Sequence, residues 1–187
     1  MVEWTQLLLP ILVSTVVVFV ASSVIHMVLQ WHTPDYRKLA NEDEVRAAIR
    51  AGAPAPAQYI FPHCTDAKEA ATEAMKRKFE EGPVGVLYVK PSGQVQLGPF
   101  LRNWTLYVLV VVLLVAYVTR AARAPGASFT AVLQVAAVTG WLAFSWQGPA
   151  DSVWKGKPWS ATARDMVDGL VYGTLTGVIF AWMWPGA

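Results

Sequence analysis

The sequence predicts an all-α membrane bundle of four transmembrane helices with a small α+β cytoplasmic insert between helices one and two. Three observations predict it. Four long apolar stretches, Leu7–Leu29, Trp104–Thr119, Phe129–Trp146 and Val167–Trp184, run through the chain. About 20 apolar residues carry a helix across a bilayer core of roughly 30 Å. Basic residues are segregated from these stretches, and tryptophans gather at their ends. The chain is 55% hydrophobic with a mean hydropathy of +0.37, above the ~45–50% apolar share of a soluble domain.

The first span starts near Pro10, a residue tolerated in a first helical turn. It ends at Trp31-His32-Thr33-Pro34, because the residue before a proline avoids the α region. It has no basic region before it and no clear small-x-small cleavage site, so it reads as a retained span. Residues 1–31 form helix one, 32–102 the insert, and 103–187 helices two to four, with an interfacial loop at 148–164.

Within the insert, Asn41 and Glu44 resemble a capping box that starts a helix over 42–50, stopped near Gly52. Tyr59-Ile60-Phe61 reads as a short strand. Thr65 or Asp66 caps a helix running to Glu81, with an apolar stripe of Ala67, Ala71, Met75 and Phe79. Val84–Lys90 and Gln94–Leu97 flank the turn signal Pro91-Ser92-Gly93, which predicts a hairpin.

Ten of the fifteen Lys and Arg lie between Arg37 and Arg102, and Lys155, Lys157 and Arg164 precede the fourth span. Counting these thirteen as cytoplasmic puts both termini outside. Trp4 and Trp31 bracket span one, Trp104 opens span two, Trp146 closes span three, and Trp182 and Trp184 close span four, as expected of rings that favour the headgroup layer. Trp154-Lys155-Gly156-Lys157-Pro158-Trp159 suits an interfacial segment, with rings among headgroups and ammonium groups on lipid phosphate. The net charge of +2 is too small to imply nucleic-acid binding.

Span four carries the strongest packing signal. Gly169, Gly173 and Gly177 form a GxxxGxxxG face that another helix can approach closely, either within the bundle or from another copy. Thr162 and Asp165 resemble a second capping box. Asp168, Tyr172 and Thr176 make a polar stripe behind Asp165, and ionisable groups in membrane helices usually face the protein interior. On span one, Ser22 and His26 share a face. Gln134 and Thr139 in span three are expected to hydrogen-bond between helices. These polar residues read first as a structural network, and His32 as interfacial.

No cofactor or metal is expected. A lone span histidine lacks the second histidine that a haem between helices takes, and His63-Cys64 lacks a second ligand pair. Cys64 is the single cysteine, so no intramolecular disulfide can form. Asp165-Met-Val-Asp168-Gly169 resembles the opening D-x-x-D-G of CDP-alcohol phosphotransferases. The two further aspartates that complete their metal site are missing, so that chemistry is set aside.

The chain as a whole resembles the small, uncharacterised multi-pass membrane proteins common in bacteria. The residues are Asp35-Tyr36-x-Lys38-Leu39 with Glu42-Asp43-Glu44, Gly82-Pro83-x-Gly85, and Asp151-Ser152-x-Trp154-Lys155-Gly156-Lys157-Pro158-Trp159-Ser160, leading into Asp168-Gly169-Leu170-x-Tyr172-Gly173. The resemblance implies an architecture and a bacterial inner membrane, not an activity.

The leading expectation is a non-catalytic accessory, assembly or scaffold protein. Its partners would be the lipid bilayer and a membrane protein or a second copy of itself. Two alternatives are a small dimeric transporter or proton-coupled carrier using Asp168, Tyr172 and His26, and an interfacial membrane enzyme using Asp165, Asp168 and His32. Helices one and four are expected to meet, because they carry most of the intramembrane polar residues.

Overall fold

The computed structural model describes residues 1–186. The chain divides into two compact units: Met1–Tyr36 with Gln96–Ser152 and Pro158–Ala187, and Arg37–Val95 with Val153–Lys157.

The first unit is helical. Helix α1 (Trp4–Ser23) continues as a π-helical turn over Val24–Leu29 and stops at Gln30, whose φ of 51° is left-handed. A 3-10 turn, Thr33–Asp35, follows. The other long helices of this unit are α5 (Leu97–Ala122), α6 (Phe129–Ser145) and α8 (Trp159–Trp182).

Three segments are long and apolar enough to cross a membrane: Trp4–Leu29, Leu97–Ala122 and Phe129–Lys155. Helix α8 falls short of that criterion among the described residues. The reason lies in Arg164, Asp165 and Asp168 in its first half and in the glycines at 169, 173 and 177. It is instead a heavily buried helix, packed most extensively on α6 and also on α1. Helices one and four of the sequence reading therefore do meet.

The long helices are apolar on their exposed sides. Helix α1 turns Leu8, Leu12, Val16 and Val20 outward and buries Ser14, Thr15 and Ser22 with Leu7, Ile11 and Val18. In water such a face would be an aggregation-prone patch. In lipid it costs nothing, while the small hydroxyl residues suit close helix contact. Thr15 Oγ1 donates to Ile11 O at 2.8 Å, so its burial leaves no unmet hydrogen bond.

The glycine face is filled from within the bundle. A Cβ on Gly173 would sit 2.5 Å from Trp141 N and 2.6 Å from Ala137 O, and one on Gly177 would meet Ala137 at 2.8 Å. Both neighbours belong to α6, so this face is not open to a second copy. Thr162 is not a cap. Helix α8 begins three residues earlier, after Pro158, and the buried Thr162 hydroxyl instead pairs with Ser152 Oγ at 2.6 Å.

The tryptophans divide into two groups. Trp4, Trp146 and Trp182 are exposed, as interfacial rings should be. Trp184 is buried and donates from Nε1 to Ala124 O at 2.9 Å, and Trp104 turns inward to Ser22. Helix α5 also starts seven residues before Trp104, which leaves that ring inside the helix rather than at its end.

The second unit holds α2 (Glu42–Ala51), β1 (Ala57–Phe61), α3 (Ala67–Ala70), α4 (Glu73–Glu81) and β2 (Gly85–Val89). The remaining helix, α7, spans Gln147–Lys155. The expected hairpin is not formed. Gln94–Leu97 is no strand, and Leu97 opens α5. The partner of β2 is β1, antiparallel, with Ala57 opposite Val89 and Phe61 opposite Gly85. Five paired residues on each strand outcompete a four-residue segment with two apolar positions.

The expected single helix to Glu81 is two helices. Asp66 accepts Glu69 N at the start of α3, and Thr72 accepts Met75 N at the start of α4. A threonine that caps a new helix interrupts the old one. Met75 is buried but Phe79 is exposed, so the apolar stripe is only partly used.

Glu69 carries a pH signature. Its carboxylate accepts Thr65 Oγ1 at 2.6 Å and Thr65 N at 2.7 Å, and these bonds hold its pKa below the ordinary glutamate value. A carboxylate with a depressed folded pKa adds stability above its unfolded pKa of about 4.3 and loses it as pH falls through the folded value. An NMR titration of the Glu69 carboxyl should therefore show a midpoint below the ordinary range, and Thr65→Ala should move it back up.

Candidate metal centre

Three side chains distant in sequence meet within the helical unit. The π-turn after α1 carries His26. The left-handed Gln30 then folds the chain back, so that the His32 ring lies over the His26 ring with centroids 4.7 Å apart. Asp168, in the first half of α8, faces both. Its Oδ2 is 2.9 Å from His32 Nε2 and 3.5 Å from His26 Nε2. The potential ligand atoms of the three residues all lie within 4.8 Å of one another. A tetrahedral zinc with bonds of ~2.0–2.1 Å needs ligand atoms roughly 3.4 Å apart, so shifts of about an ångström would close the set.

Behind His32 stands a second layer. His32 Nδ1 is 2.8 Å from Asp35 Oδ2. Asp35 is in turn paired with Arg164, one helical turn before Asp168 on the same face of α8. Asp165 Oδ1 is 4.0 Å from His32 Nδ1. The i,i+3 geometry of the 3-10 turn puts Asp35 under the ring, and the i,i+4 spacing on α8 puts Arg164 and Asp168 on one face.

Two buried carboxylates face the His32 ring, one at each nitrogen. Asp35 and Asp168 side chains are both only 7% exposed. Asp35 has a guanidinium beside it. Asp168 has only the two imidazoles for Oδ2, and its buried Oδ1 has no hydrogen-bond partner. A neutral imidazole has one N–H and one lone pair, and an imidazolium has two N–H groups, so a neutral His32 can donate to only one of its two carboxylates and a protonated one to both. A divalent metal would satisfy the neutral form. Nδ1–H would then donate to Asp35, and His32 Nε2 and Asp168 would hold the cation. A carboxylate behind a ligating histidine is the usual support of such sites.

One turn along α8, Tyr172 is buried and its hydroxyl has no hydrogen-bond partner. It lies in an aromatic cluster, 5.5 Å from Phe144 and 6.3 Å from Trp104 by ring centroids. Trp104 Nε1 donates to Ser22 Oγ at 2.8 Å, and Ser22 Oγ donates to Phe19 O. Thr176 is buried but donates to Tyr172 O at 2.8 Å, so its polarity is used up within its own helix.

The residues singled out from the sequence are thus sorted. His26, Asp165 and Asp168 come together. Ser22, Tyr172 and Thr176 lie in the packed interior beside them. Gly169, Gly173 and Gly177 serve α6. Trp154, Lys155 and Trp159 are exposed and Lys157 is partly so. Gln134 faces outward. Cys64 is half-buried in the second unit. Sequence reasoning missed Asp35 and Arg164, and it placed His32 at the interface, joining it to Asp165 and Asp168 only in the enzyme alternative. The available signal was His32-x-x-Asp35 beside a span end. The pairing with α8, 129–136 residues away, had none.

Comparison with protein-family models, curated proteins and solved structures returned no match for the chain.

Proposed function

We propose that this is a membrane-embedded divalent-metal protein whose centre is His26, His32 and Asp168. The observation that carries the reading is Asp168: buried, with one oxygen between two imidazoles and the other without a partner. Burying such a carboxylate without compensation is expensive. Two histidines and one carboxylate are a borderline donor set that suits zinc. Three protein ligands leave a fourth position open, as in catalytic rather than structural zinc sites. His26, whose side chain is 47% exposed, marks the open side.

The topology that goes with this reading is four-spanning, with α8 as the fourth span and both termini outside. Its support is the bias of basic residues. The centre then stands at the cytoplasmic face of a bacterial inner membrane, the compartment implied by the resemblance above. The accessory or scaffold role draws on the glycine face, which α6 covers, and on docking by the insert; the metal reading draws on Asp168 and ranks first. A carrier reading uses the same residues and is favoured by the buried Tyr172 hydroxyl. It predicts zinc flux in proteoliposomes that Tyr172→Phe slows.

The direct test is zinc binding by the purified full chain in detergent, followed by competition with a chromophoric chelator. One equivalent is expected. Asp35→Asn, which leaves all three ligands in place, should weaken affinity by about 10–100-fold. Wild-type protein that takes up no zinc, or takes it up equally after His32→Ala, would sink the proposal.

A further inference from the structure

An apolar groove of about 610 Å³ opens beside the candidate centre, between the end of α1 and the first turns of α5. That size lies within the roughly 300–1,000 Å³ of small-molecule sites. Its walls include Ser22, Met27, Leu101, Trp104 and Tyr107, and His26 lines it as well. His26 therefore belongs to both the groove and the metal cluster. The rest of the cluster, His32 and Asp168, lies behind it and is largely buried.

We infer that the groove holds the hydrocarbon chain of an anionic amphiphile, whose oxyanion head occupies the open position of the metal at His26. This rests on the metal reading above. The open position selects the head, because a divalent ion held by one carboxylate and two imidazoles keeps a positive charge within its ligand set that a carboxylate or phosphate oxygen would neutralise. The walls select the tail, because they are almost wholly apolar and belong to two segments that are long and apolar enough to cross a membrane. Met27 adds an adaptable wall suited to a flexible chain. The Trp104–Ser22 hydrogen bond fixes the indole that closes the groove towards Tyr172.

The experiment uses the full chain in non-ionic detergent and a diazirine-bearing palmitate as the probe, with and without zinc. Labelled residues are located by peptide mass spectrometry. Labelling is expected at Met27 and Leu101, several-fold stronger with zinc. Leu101→Trp should fill the groove and abolish labelling while zinc uptake stays normal, and Leu106→Trp, outside the groove on the same helix, should change neither. Competition by palmitate or by lysophosphatidate distinguishes a carboxylate from a phosphate head. A neutral long-chain alcohol that competes equally well would overturn the anionic head. Labelling that is scattered and indifferent to zinc, in protein that still binds zinc, would overturn the groove assignment and leave the metal centre standing. Failure of wild-type protein to bind zinc is read by metal analysis alone and overturns the metal reading instead.

Discussion

Gly173→Ala is expected to destabilise the bundle, the opposite of what an alanine in a helix normally does. Exchanging a mid-helix glycine for alanine ordinarily gains about 0.5–1 kcal/mol. Here the new methyl would meet Trp141 N and Ala137 O, backbone atoms of α6 that no rotamer change can move. The two helices must separate, and overpacking of this kind costs about 1–3 kcal/mol. The net sign is therefore unfavourable. Gly98→Ala on α5, where a Cβ meets nothing within 4 Å, is the control and should be neutral or slightly stabilising. Thermal unfolding in one detergent, followed by tryptophan fluorescence, reads both. Equal midpoints for the two variants would mean that α6 and α8 are not packed as described.

Asp168→Ala is the second large effect, and it acts on two observables. Zinc affinity should fall by more than the ~10–100-fold that loss of a supporting partner costs, because a ligand itself is removed. The metal-free protein should change little, because two effects oppose each other. Asp168 is a buried carboxylate with one unpartnered oxygen, so its removal relieves a desolvation penalty while breaking the link to His32. We expect the metal-free stability to move by less than about 1 kcal/mol and the zinc-induced rise in midpoint to disappear. Zinc stabilises by binding the folded state only, so its increment reports affinity directly. A variant that loses stability without zinc but keeps the full zinc increment would assign Asp168 to packing alone.

The membrane character, α1, α6 and the glycine face were legible in the sequence because each is a local pattern of hydropathy or spacing. The role of α8 was only half legible. Its glycines announced a close helix contact, but the partner could not be named, since Ala137 and Trp141 look like any apolar residues of a span. The hairpin expected at Pro91-Ser92-Gly93 shows how a good turn signal loses to a better strand partner, β1, some 30 residues upstream. The candidate centre was least legible. His26 and Asp168 were both noticed, but their meeting depends on how the chain leaves α1. A π-turn followed by a left-handed glutamine has no periodicity to betray it.

That exit from α1 has a consequence for how the site can vary. Each residue of an α-helix turns the chain by about 100°, and the π-turn over Val24–Leu29 holds the chain out of that phase. Removing one residue there would let the segment relax to ordinary winding and swing His32 away from α8, although every ligand would still be present in the sequence. Gln30 imposes the same demand, because its left-handed backbone admits asparagine or glycine readily but a β-branched residue only with strain. What must be preserved between Ser23 and Asp35 is therefore a length and a handedness, a constraint written in spacing rather than in any one side chain.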